Sequence, residues 1–305
     1  MSRLRLGIDL GGTKTEAIVI DAQGQTLLRR RVPSPQNDYA ATIAAITALV
    51  QSCEAELADH PSQPCSVGVG IPGAISPASG LVKNANSTWL IGHPLDRDLA
   101  QALGRPVRIA NDADCFALSE ASDGAAAGAP TVFGVILGTG VGAGVIVNGR
   151  PLSGPNAIAG EWGHNPLPWP TDQERPGPAC YCGRSGCIEC FLSGPALARD
   201  DGRGLTAQAL ADLAAQGDSQ AEASLRRYEQ RLARALAHVI NILDPHVIVL
   251  GGGLSNLMRL YDRVPQLWGD WVFSDSVATR LAPPRHGDSS GVRGAAWLWE
   301  RQVRA

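Results

Sequence analysis

Apolar and polar residues follow the same pattern in two parts of this chain. Residues 4–20 and residues 131–147 each contain a short apolar strand, a turn rich in Gly and Thr, and a second apolar strand. Glycine reaches positive φ angles and lets backbone N–H groups approach a bound anion. Two such turns, about half a chain apart, therefore favour two lobes that hold one polyphosphate between them. The alternative is a pair of ordinary β-hairpins.

The remaining pattern predicts an α/β protein. Further strands are expected at 25–31, 66–71, 107–110 and 247–250, and helices at 39–57, 96–103, 115–124, 205–215, 220–243 and 291–301. Residues 150–190 are rich in Gly, Pro and Cys and show little periodicity. The second hairpin begins soon after residue 114, which predicts a small lobe of residues 1–114 plus 290–305 and a large lobe of residues 115–289.

Composition excludes several classes of protein. The 305 residues carry a net charge of −3, which indicates no broad basic face for nucleic acid. No apolar run approaches the ~20 residues of a membrane helix, and the N-terminus does not resemble a signal peptide, so a cytoplasmic location is expected. Four of the seven cysteines lie between residues 180 and 190, a clustering that favours thiols or a metal over a disulfide framework.

Two other nucleotide-binding motifs can be set aside. Gly7 and Gly12 have the spacing of a Walker A loop, but Thr13 stands where that motif requires Lys. A Gly-x-Gly-x-x-Gly pattern occurs at residues 68–73, but the prolines within and after it oppose the helix that a Rossmann motif needs. Any phosphate site must therefore be built differently.

Acidic residues follow two of the expected strands. Asp112 follows the strand at 107–110, at the end where α/β sheets collect their ligands. Phosphoryl transfer to an alcohol needs a base beside the attacking hydroxyl, and Asp112 is the best-placed carboxylate. Alternatively, Asp112 or Asp114 caps the following helix. Asp9 ends the first strand, where it could hold Mg²⁺ through water or hydrogen-bond its own turn.

Three cysteines and one histidine have the spacing of a zinc site. Cys180, Cys182 and Cys187 are separated by glycine-containing turns, and His164 lies sixteen residues before Cys180. Three thiolates and one imidazole complete a tetrahedral shell with no open position, which is typical of structural zinc. Unbound thiols are the alternative. Cys190 would remain outside the shell.

Candidate sugar and nucleotide ligands flank this segment. Glu161 and His164 share one short loop and can hold neighbouring hydroxyls of a sugar, although an exposed loop Glu is more often only solvated. If zinc orders the loop, Glu189 can reach the same cleft as a third sugar ligand. The Gly251–Gly253 turn, after an apolar strand, could let the backbone approach adenine or ribose, or could be a plain strand-to-helix turn.

Taken together, these motifs resemble those of the ROK family of sugar kinases, which has an actin/hexokinase-like (ribonuclease H-like) fold. The matching stretches extend over nearly the whole chain and are Asp9-Leu-Gly-Gly-Thr-Lys-Thr15, Gly70-Ile-Pro-Gly73, Asn111-Asp-Ala113, Gly138-Thr-Gly-Val-Gly142, Glu161-Trp-Gly-His164, Cys180-Tyr-Cys-Gly-Arg-Ser-Gly-Cys-Ile-Glu189, Ser193-Gly194 and Gly251-Gly-Gly253. Within the family the chain is most similar to the bacterial fructokinases, also called mannokinases, at residues 83–89, 163–169 and 286–299.

The resemblance implies a two-lobed α/β fold and transfer of phosphate from ATP, with Mg²⁺, to the 6-hydroxyl of a free hexose, with D-fructose as the expected sugar and Asp112 as the base. It implies that the sugar is bound by Asn86, Asn111, Glu161, His164 and Glu189. It implies that the nucleotide is bound by Asp9, Gly11, Gly12, Thr13, Lys14, Gly138, Thr139, Gly140, Gly251, Gly252 and Gly253. It places Zn²⁺ on His164, Cys180, Cys182 and Cys187, with the second ring nitrogen of His164 facing the sugar.

Several alternatives stay open. The sugar could instead be mannose, glucose or N-acetylglucosamine. A sugar-responsive regulator of the family would carry a helix-turn-helix domain ahead of the first strand, where this chain has about three residues. A zinc- or sugar-binding module without catalysis is disfavoured by Asp112 and by both glycine turns. Asp114 stands where the closest kinases carry Asn, and a second carboxylate there could raise the pKa of Asp112. The family likeness also suggests a homodimer.

Overall fold

The structure, a computed structural model, describes residues 4–60, 64–287 and 290–299. Its β-strands are β1 (Arg5–Leu10), β2 (Lys14–Ile20), β3 (Thr26–Pro33), β4 (Ser66–Ile71), β5 (Ala74–Ile75), β6 (Val82–Lys83), β7 (Val107–Asn111), β8 (Thr131–Leu137), β9 (Val141–Val147), β10 (Arg150–Pro151), β11 (Val247–Gly251) and β12 (Arg280–Ala282). Its α-helices are α1 (Tyr39–Glu56), α2 (Leu95–Leu103), α3 (Asp112–Ser122), α4 (Glu189–Leu192), α5 (Gly194–Asp201), α6 (Ala207–Ala215), α7 (Ser219–Leu243), α8 (Arg259–Trp268) and α9 (Ser290–Trp297).

The two repeated hairpins open two five-stranded sheets of the same topology. The first sheet has the order β3-β2-β1-β4-β7 and the second has the order β10-β9-β8-β11-β12. In each sheet the first three strands pair antiparallel, and the last two join in parallel with the opening strand of the hairpin. This duplication confirms the predicted two-lobed α/β architecture.

Two helices cross between the sheets and join them. Helix α3 follows the last strand of the first sheet and packs on β8 and β9 of the second, whereas α9 follows the second sheet and packs on β1 and β4 of the first. The helices also pack on each other, so closely that a Cβ atom at Gly294 would lie 1.6 Å from the carbonyl oxygen of Cys115. Only glycine fits there, which fixes the two helices, and hence the two sheets, relative to one another.

A salt bridge closes the same crossing. Asp123, at the end of α3, accepts hydrogen bonds from Arg293 Nε at 3.0 Å and from His286 Nε2 at 3.0 Å. Burial alone would raise the pKa of Asp123, but these hydrogen bonds outweigh it and hold the pKa at about 2. The stretch 286–299 therefore includes side chains that fasten α9 to α3.

The core has three parts. One lies on the second sheet under α7, one lies on the first sheet under α1 and α2, and the third surrounds α3 and α9 between them. Helix α7 shows how sequence sets this packing. The side chain of Asp218 caps its start, Asp244 ends it at φ 48°, and its buried apolar stripe includes Leu225, Tyr228, Leu232 and Leu236. Burial of each such large side chain stabilises the fold by about 1.5–3 kcal/mol.

The observed bounds differ from the expected ones at several places. Helix α3 begins at Asp112, three residues before the expected start at Cys115. The final helix begins at Ser290 and ends at Trp297. Helices α5 and α8 and the short strands were not expected. The predicted lobe boundary falls inside α3 and stays a prediction.

Some residues of the predicted segments lie outside the described part of the chain. These are residues 1–3, 61–63 and 300–305, together with residues 288–289 of the stretch similar to fructokinases. Among the helices of the described residues, none is long and apolar enough to cross a lipid bilayer.

Candidate active site

Two neighbouring cavities lie in the cleft between the sheets. The glycine cavity, about 270 Å³, is lined by Asp9, by residues 251–253 and by residues from the start of α9. The loop cavity, about 200 Å³, is lined by the second glycine turn and by residues of the segment 160–189. Asp112 and Ile136 line both. A group bound in one cavity can therefore approach a group bound in the other at Asp112.

The position of Asp112 follows from how α3 begins. Asn111 is the N-cap, because its Oδ1 accepts a hydrogen bond from Ala113 N at 2.8 Å. The alternative that Asp112 or Asp114 caps this helix is therefore wrong. Asp112 comes next, in the first turn, and its Oδ1 also accepts from Ala113 N, at 2.9 Å. The cap leaves the Asp112 carboxyl on the wall between the cavities.

The pKa of Asp112 is suited to proton transfer near neutral pH. Burial raises it, the backbone N–H of Ala113 lowers it, and the charge of Glu161 raises it, so that the pKa reaches about 6. A base works best when its pKa lies near the working pH. Asp112 is therefore ionised at pH 7 and still basic enough to accept a proton.

Two further carboxyls lie close to Asp112. Burial, followed by the charges of Asp112 and Glu16, raises the pKa of Asp9 to about 6. Burial, followed by the charges of Asp112 and Glu161, raises the pKa of Asp114 to about 7. The Oδ1 atom of Asp114 is buried without a hydrogen-bond partner among the described residues. Negative charge thus accumulates at this wall of the cleft, where a cation would offset it.

The loop cavity brings together every residue that was predicted to bind sugar. Those residues are Asn86, Asn111, Glu161, His164 and Glu189. Two of them are already held in place by the protein. Glu189 Oε2 accepts a hydrogen bond from Val141 N at 2.9 Å, which ties it to the second glycine turn, and Asn111 Nδ2 donates to Gly73 O at 3.2 Å.

The glycine turns differ in what they contribute. Gly138, Thr139 and Gly140 line the loop cavity, and Gly251–Gly253 line the glycine cavity. Of the first turn, Asp9 lines the glycine cavity, whereas Gly11, Gly12, Thr13 and Lys14 are absent from the described lining of both cavities. Their contact with nucleotide stays a prediction.

The hydroxyl of Thr15 does not serve as a phosphate donor. Its side chain is buried, and its Oγ1 lies 2.8 Å from Ser34 Oγ, inside the hairpin. The first Gly- and Thr-rich turn therefore gains no phosphate donor from Thr15. Strand β2 turns this side chain inward, and Ser34 satisfies it there.

The four predicted zinc ligands converge. One ligand atom each from His164, Cys180, Cys182 and Cys187 lies within 4.8 Å of all the others. His164 Nδ1 lies 3.6 Å from Cys180 Sγ, and the sulfurs of Cys182 and Cys187 are 3.6 Å apart. Zinc bonds of about 2.0–2.3 Å in a tetrahedron give edges of about 3.5–3.8 Å. The donor set therefore fits Zn²⁺ in both chemistry and size.

The second ring nitrogen of His164 has a partner that was not expected. His164 Nε2 lies 2.9 Å from the hydroxyl of Tyr181, and the two rings meet edge to face with centroids 5.0 Å apart. Tyr181 also lines the loop cavity. The imidazole thus directs Nδ1 to the cysteine cluster and Nε2 to the hydroxyl of Tyr181, and not to the cavity as expected.

Sequence reasoning missed other residues that line the cavities. Tyr181 lies between two candidate zinc ligands in the sequence, and that position gives no sign of a role in the cavity. The glycine cavity is also lined by residues that no sequence motif predicted there, among them Ser255, Asn256, Pro284, Gly287, Ser290 and Gly291. Of these, Gly287, Ser290 and Gly291 lie in the fructokinase-like stretch 286–299, which is the signal that could have indicated them.

Comparison with known proteins covers almost the whole chain. A family model described as the ROK family matches residues 5–302. The N-acetyl-D-glucosamine kinase of Pectobacterium atrosepticum is 39% identical over 302 residues, which are 96% of this chain and 97% of that protein. The enzyme of the same name from Yersinia enterocolitica is 40% identical over 300 residues, which are 96% of this chain and 98% of that protein.

Solved structures agree. The ROK hexokinase from Thermus thermophilus superposes with a TM-score of 0.83 at 31% identity and covers 97% of both chains. A ROK family glucokinase from Streptomyces griseus, solved in complex with glucose and AMPPNP, gives a TM-score of 0.75 at 28% identity over 97% of this chain and 98% of that chain. These matches confirm the predicted actin/hexokinase-like fold.

Proposed function

The chain belongs to the ROK family and is a sugar kinase, and we propose that it transfers the γ-phosphoryl group of ATP to the 6-hydroxyl of N-acetyl-D-glucosamine. The comparisons do not support the expected D-fructose. The alternative sugar, N-acetylglucosamine, is better supported, because relatives that are 39% and 40% identical over 96% of the chain are kinases of that sugar.

The observation that carries the chemical part of the proposal is the place of Asp112. It lies on the wall shared by the glycine cavity, which would hold ATP, and the loop cavity, which would hold the sugar. Asp112 accepts the proton of the 6-hydroxyl, the hydroxyl oxygen forms a bond to the γ-phosphorus, and the bond between that phosphorus and the β,γ-bridging oxygen breaks. The products are the sugar 6-phosphate and ADP.

The glycine cavity would hold the nucleotide. Gly253 has open space where a Cβ atom would be, so the backbone at the end of β11 can approach a base or ribose. Sugar kinases use ATP with Mg²⁺, which neutralises charge on the phosphates. Asp9 would hold that ion, because its carboxyl faces this cavity and is crowded by the charge of Asp112. The contacts of the first glycine turn with phosphate belong to the same proposal.

The loop cavity would orient the sugar. Carboxylates accept hydrogen bonds from sugar hydroxyls, and Glu161 and Glu189 supply them on the side of the segment 160–189. Asn86 and Asn111 offer amide groups from the first sheet and its loops. Binding from both sheets would place the 6-hydroxyl at Asp112.

Zinc would act on structure rather than on the reacting atoms. A closed Cys₃His shell has no position for a substrate. His164 follows Glu161 by three residues, and Cys187 precedes Glu189 by two, so an ion on His164, Cys180, Cys182 and Cys187 would fix both sugar-binding carboxylates at once. A homodimer stays a prediction.

A panel of sugars tests the proposal. We expect kcat/KM with ATP and Mg²⁺ to be highest for N-acetylglucosamine among N-acetylglucosamine, glucose, mannose and fructose, by about tenfold or more over the next sugar. A preference for fructose or mannose would overturn the proposed substrate and leave the kinase assignment intact. Absence of ADP formation with all four sugars would overturn the proposed reaction.

A further inference from the structure

Tyr181 occupies an unusual place in the loop cavity. It lies between two of the candidate zinc ligands, Cys180 and Cys182, in a tight turn closed by the hydrogen bonds from Cys180 N to Arg184 O at 2.7 Å and from Gly183 N to Cys180 O at 3.0 Å. These hydrogen bonds hold the backbone of Tyr181 in place. Its side chain is nevertheless 80% exposed while it lines the cavity.

The ring of Tyr181 provides an aromatic face, whereas the other apolar residues that line the loop cavity, Ala113, Ile136, Val141 and Ala143, are aliphatic. Apart from the imidazole of His164, it is the one aromatic ring among the described residues that line the loop cavity. The remaining side chains from the segment 160–189 that line it are carboxylates. The hydroxyl of Tyr181 is already occupied by His164 Nε2 at 2.9 Å, which holds the ring in one orientation. An exposed aromatic face that lines a cavity and is held by a hydrogen bond is suited to an apolar group of a ligand.

The shape of a hexopyranose relates this ring to one position of the sugar. The 6-hydroxyl is carried by carbon 6, which is bonded to ring carbon 5, and the ring atom opposite carbon 5 is carbon 2. When the 6-hydroxyl lies at Asp112, on the wall toward the glycine cavity, carbon 2 points to the opposite side. Tyr181 and His164 line the loop cavity and not the glycine cavity, so they are the side chains beside which we place carbon 2.

We propose that Tyr181 selects sugars by their substituent at carbon 2, with its ring covering the methyl group of a 2-acetamido substituent. The inference rests on the proposed function, since it takes the sugar to be phosphorylated at the 6-hydroxyl by Asp112. Glucose carries a hydroxyl at carbon 2 and gains nothing from the ring. When N-acetylglucosamine binds, its methyl group and the face of the Tyr181 ring are both removed from water.

The experiment compares kcat/KM for N-acetylglucosamine and for glucose in the whole, zinc-loaded enzyme and in variants. Tyr181→Ala should lower the ratio of kcat/KM for N-acetylglucosamine to kcat/KM for glucose about tenfold, because contact with one apolar group is worth about 10–200-fold in selectivity. The fall should come from a higher KM for N-acetylglucosamine, and kcat/KM for glucose should change less than about threefold. Tyr181→Phe keeps the ring and should keep the ratio within about threefold.

Two further variants separate selection from loop structure. Tyr181→Gln keeps a hydrogen-bonding group for His164 but removes the ring, and it should lower the ratio as Tyr181→Ala does. Trp169→Ala removes a half-exposed aromatic ring from the same segment that lines a different cavity, and it should leave the ratio unchanged. Zinc per chain, measured by atomic emission, should equal that of the parent enzyme. If Tyr181→Ala loses zinc, the kcat/KM ratio of zinc-loaded Tyr181→Gln tests the role of the ring instead.

The outcomes distinguish the inference from the proposed function. If the parent enzyme prefers N-acetylglucosamine and a zinc-loaded variant without the ring keeps that preference, the role of Tyr181 is wrong and the proposed function stands. If the parent enzyme does not prefer N-acetylglucosamine to glucose, the proposed substrate and the role of Tyr181 are both wrong. A fall of both kcat/KM values by the same factor would show a purely structural role and would also overturn the inference.

Discussion

At the scale of single residues, the proposed phosphoryl transfer depends on Asp112. Its carboxyl lies between the two cavities, and burial together with Glu161 raises its pKa to about 6. A carboxylate exposed to water would be a much weaker base. Because of the same burial, ionisation of Asp112 is less favourable in the folded protein than in the unfolded chain. The negative charge of Asp112 therefore does not add to the free energy of unfolding.

Asp112→Asn should therefore separate catalysis from folding. We expect kcat with N-acetylglucosamine to fall by about 10²–10⁴-fold, since a positioned base contributes that much. The dissociation constant of the sugar should change less than about threefold, and the free energy of unfolding at pH 8 should not decrease. Stopped-time assays of ADP, calorimetric binding and urea denaturation measure the three quantities. Near-normal turnover would remove Asp112 from its proposed role.

Asp114 should make stability depend on pH. Its pKa is raised to about 7 in the fold, above its ordinary 3.8, so the folded state holds a proton that the unfolded chain releases earlier. The stability that this proton supports is present at low pH and is lost as the pH rises toward and through about 7. Asp114→Asn should therefore raise the free energy of unfolding at pH 8 by about 1–3 kcal/mol and change it much less at pH 4.

The control for Asp114 is Asp275→Asn, because Asp275 is exposed. Urea denaturation at pH 4, 6 and 8 should show no pH-dependent difference between that variant and the parent enzyme. An Asp114→Asn variant that tracks the parent at every pH would contradict the raised pKa.

Sequence motifs predicted five sugar-binding residues, all of which line the loop cavity, but they did not predict the side-chain contacts around that cavity. Motif likeness alone indicated Asn86, Glu161 and Glu189 as sugar ligands, and all three line one cavity. It could not show that the hydroxyl of Thr15 turns inward to Ser34, or that Tyr181 reaches His164, because both contacts depend on how segments distant in the chain fold together.

At the scale of elements, strands were easier to predict than helix starts. The bounds of β4 agree with the expected 66–71, because its continuous apolar run ends sharply at turn residues. The start of α3 was misplaced because Asn111, Asp112 and Asp114 are all good cap residues, and sequence does not rank them. The backbone geometry at the end of β7 makes Asn111 the cap.

The segment 160–189 is the element whose order should depend on metal. It contains short 3₁₀ turns and isolated bridges between Pro166 and Cys187 and between Ala179 and Ser185, and it packs on the core through Trp162, Leu167 and Ile188. We expect one zinc per purified chain. Cys182→Ala should lose the zinc and most of the activity, because Glu161 and Glu189 would lose their fixed positions.

The matched control is Cys190→Ala, which removes the cysteine outside the four-ligand cluster. Zinc content and kcat/KM of that variant should stay within about twofold of the parent. Full activity in a sample shown by elemental analysis to contain no metal would contradict the role of zinc.

At the scale of the whole molecule, two copies of one sheet are joined by two crossing helices. The sequence showed the duplication only through the two hairpins, because the last strands of the two sheets, β7 and β12, have no visible sequence likeness. The packing of the two crossing helices on the opposite sheets is a long-range contact that local sequence patterns do not show. The crossing of α3 and α9 sets the cleft, since Asp112 begins α3 and Gly291, beside Asp9, lies in α9.

Gly294→Ala tests that crossing. The added methyl group would lie 1.6 Å from the carbonyl oxygen of Cys115, so the helices must move apart. We expect a loss of at least about 3 kcal/mol in the free energy of unfolding, as for severe overpacking. Gly269→Ala is the control, because Gly269 has φ −55° and open space around its Cα, and it should be neutral or slightly stabilising. Equal stability of both variants would contradict the proposed rigidity of the crossing.

The most direct test of the account as a whole is the identity of the product. Purified enzyme with ATP, Mg²⁺ and N-acetylglucosamine should form one phosphomonoester, whose proton-coupled ³¹P NMR signal is a triplet from the two protons on carbon 6. A doublet would place the phosphate on a ring carbon that bears one proton, and it would contradict a 6-hydroxyl held at Asp112. The absence of a sugar phosphate signal while ATP is consumed would contradict the proposed transfer itself.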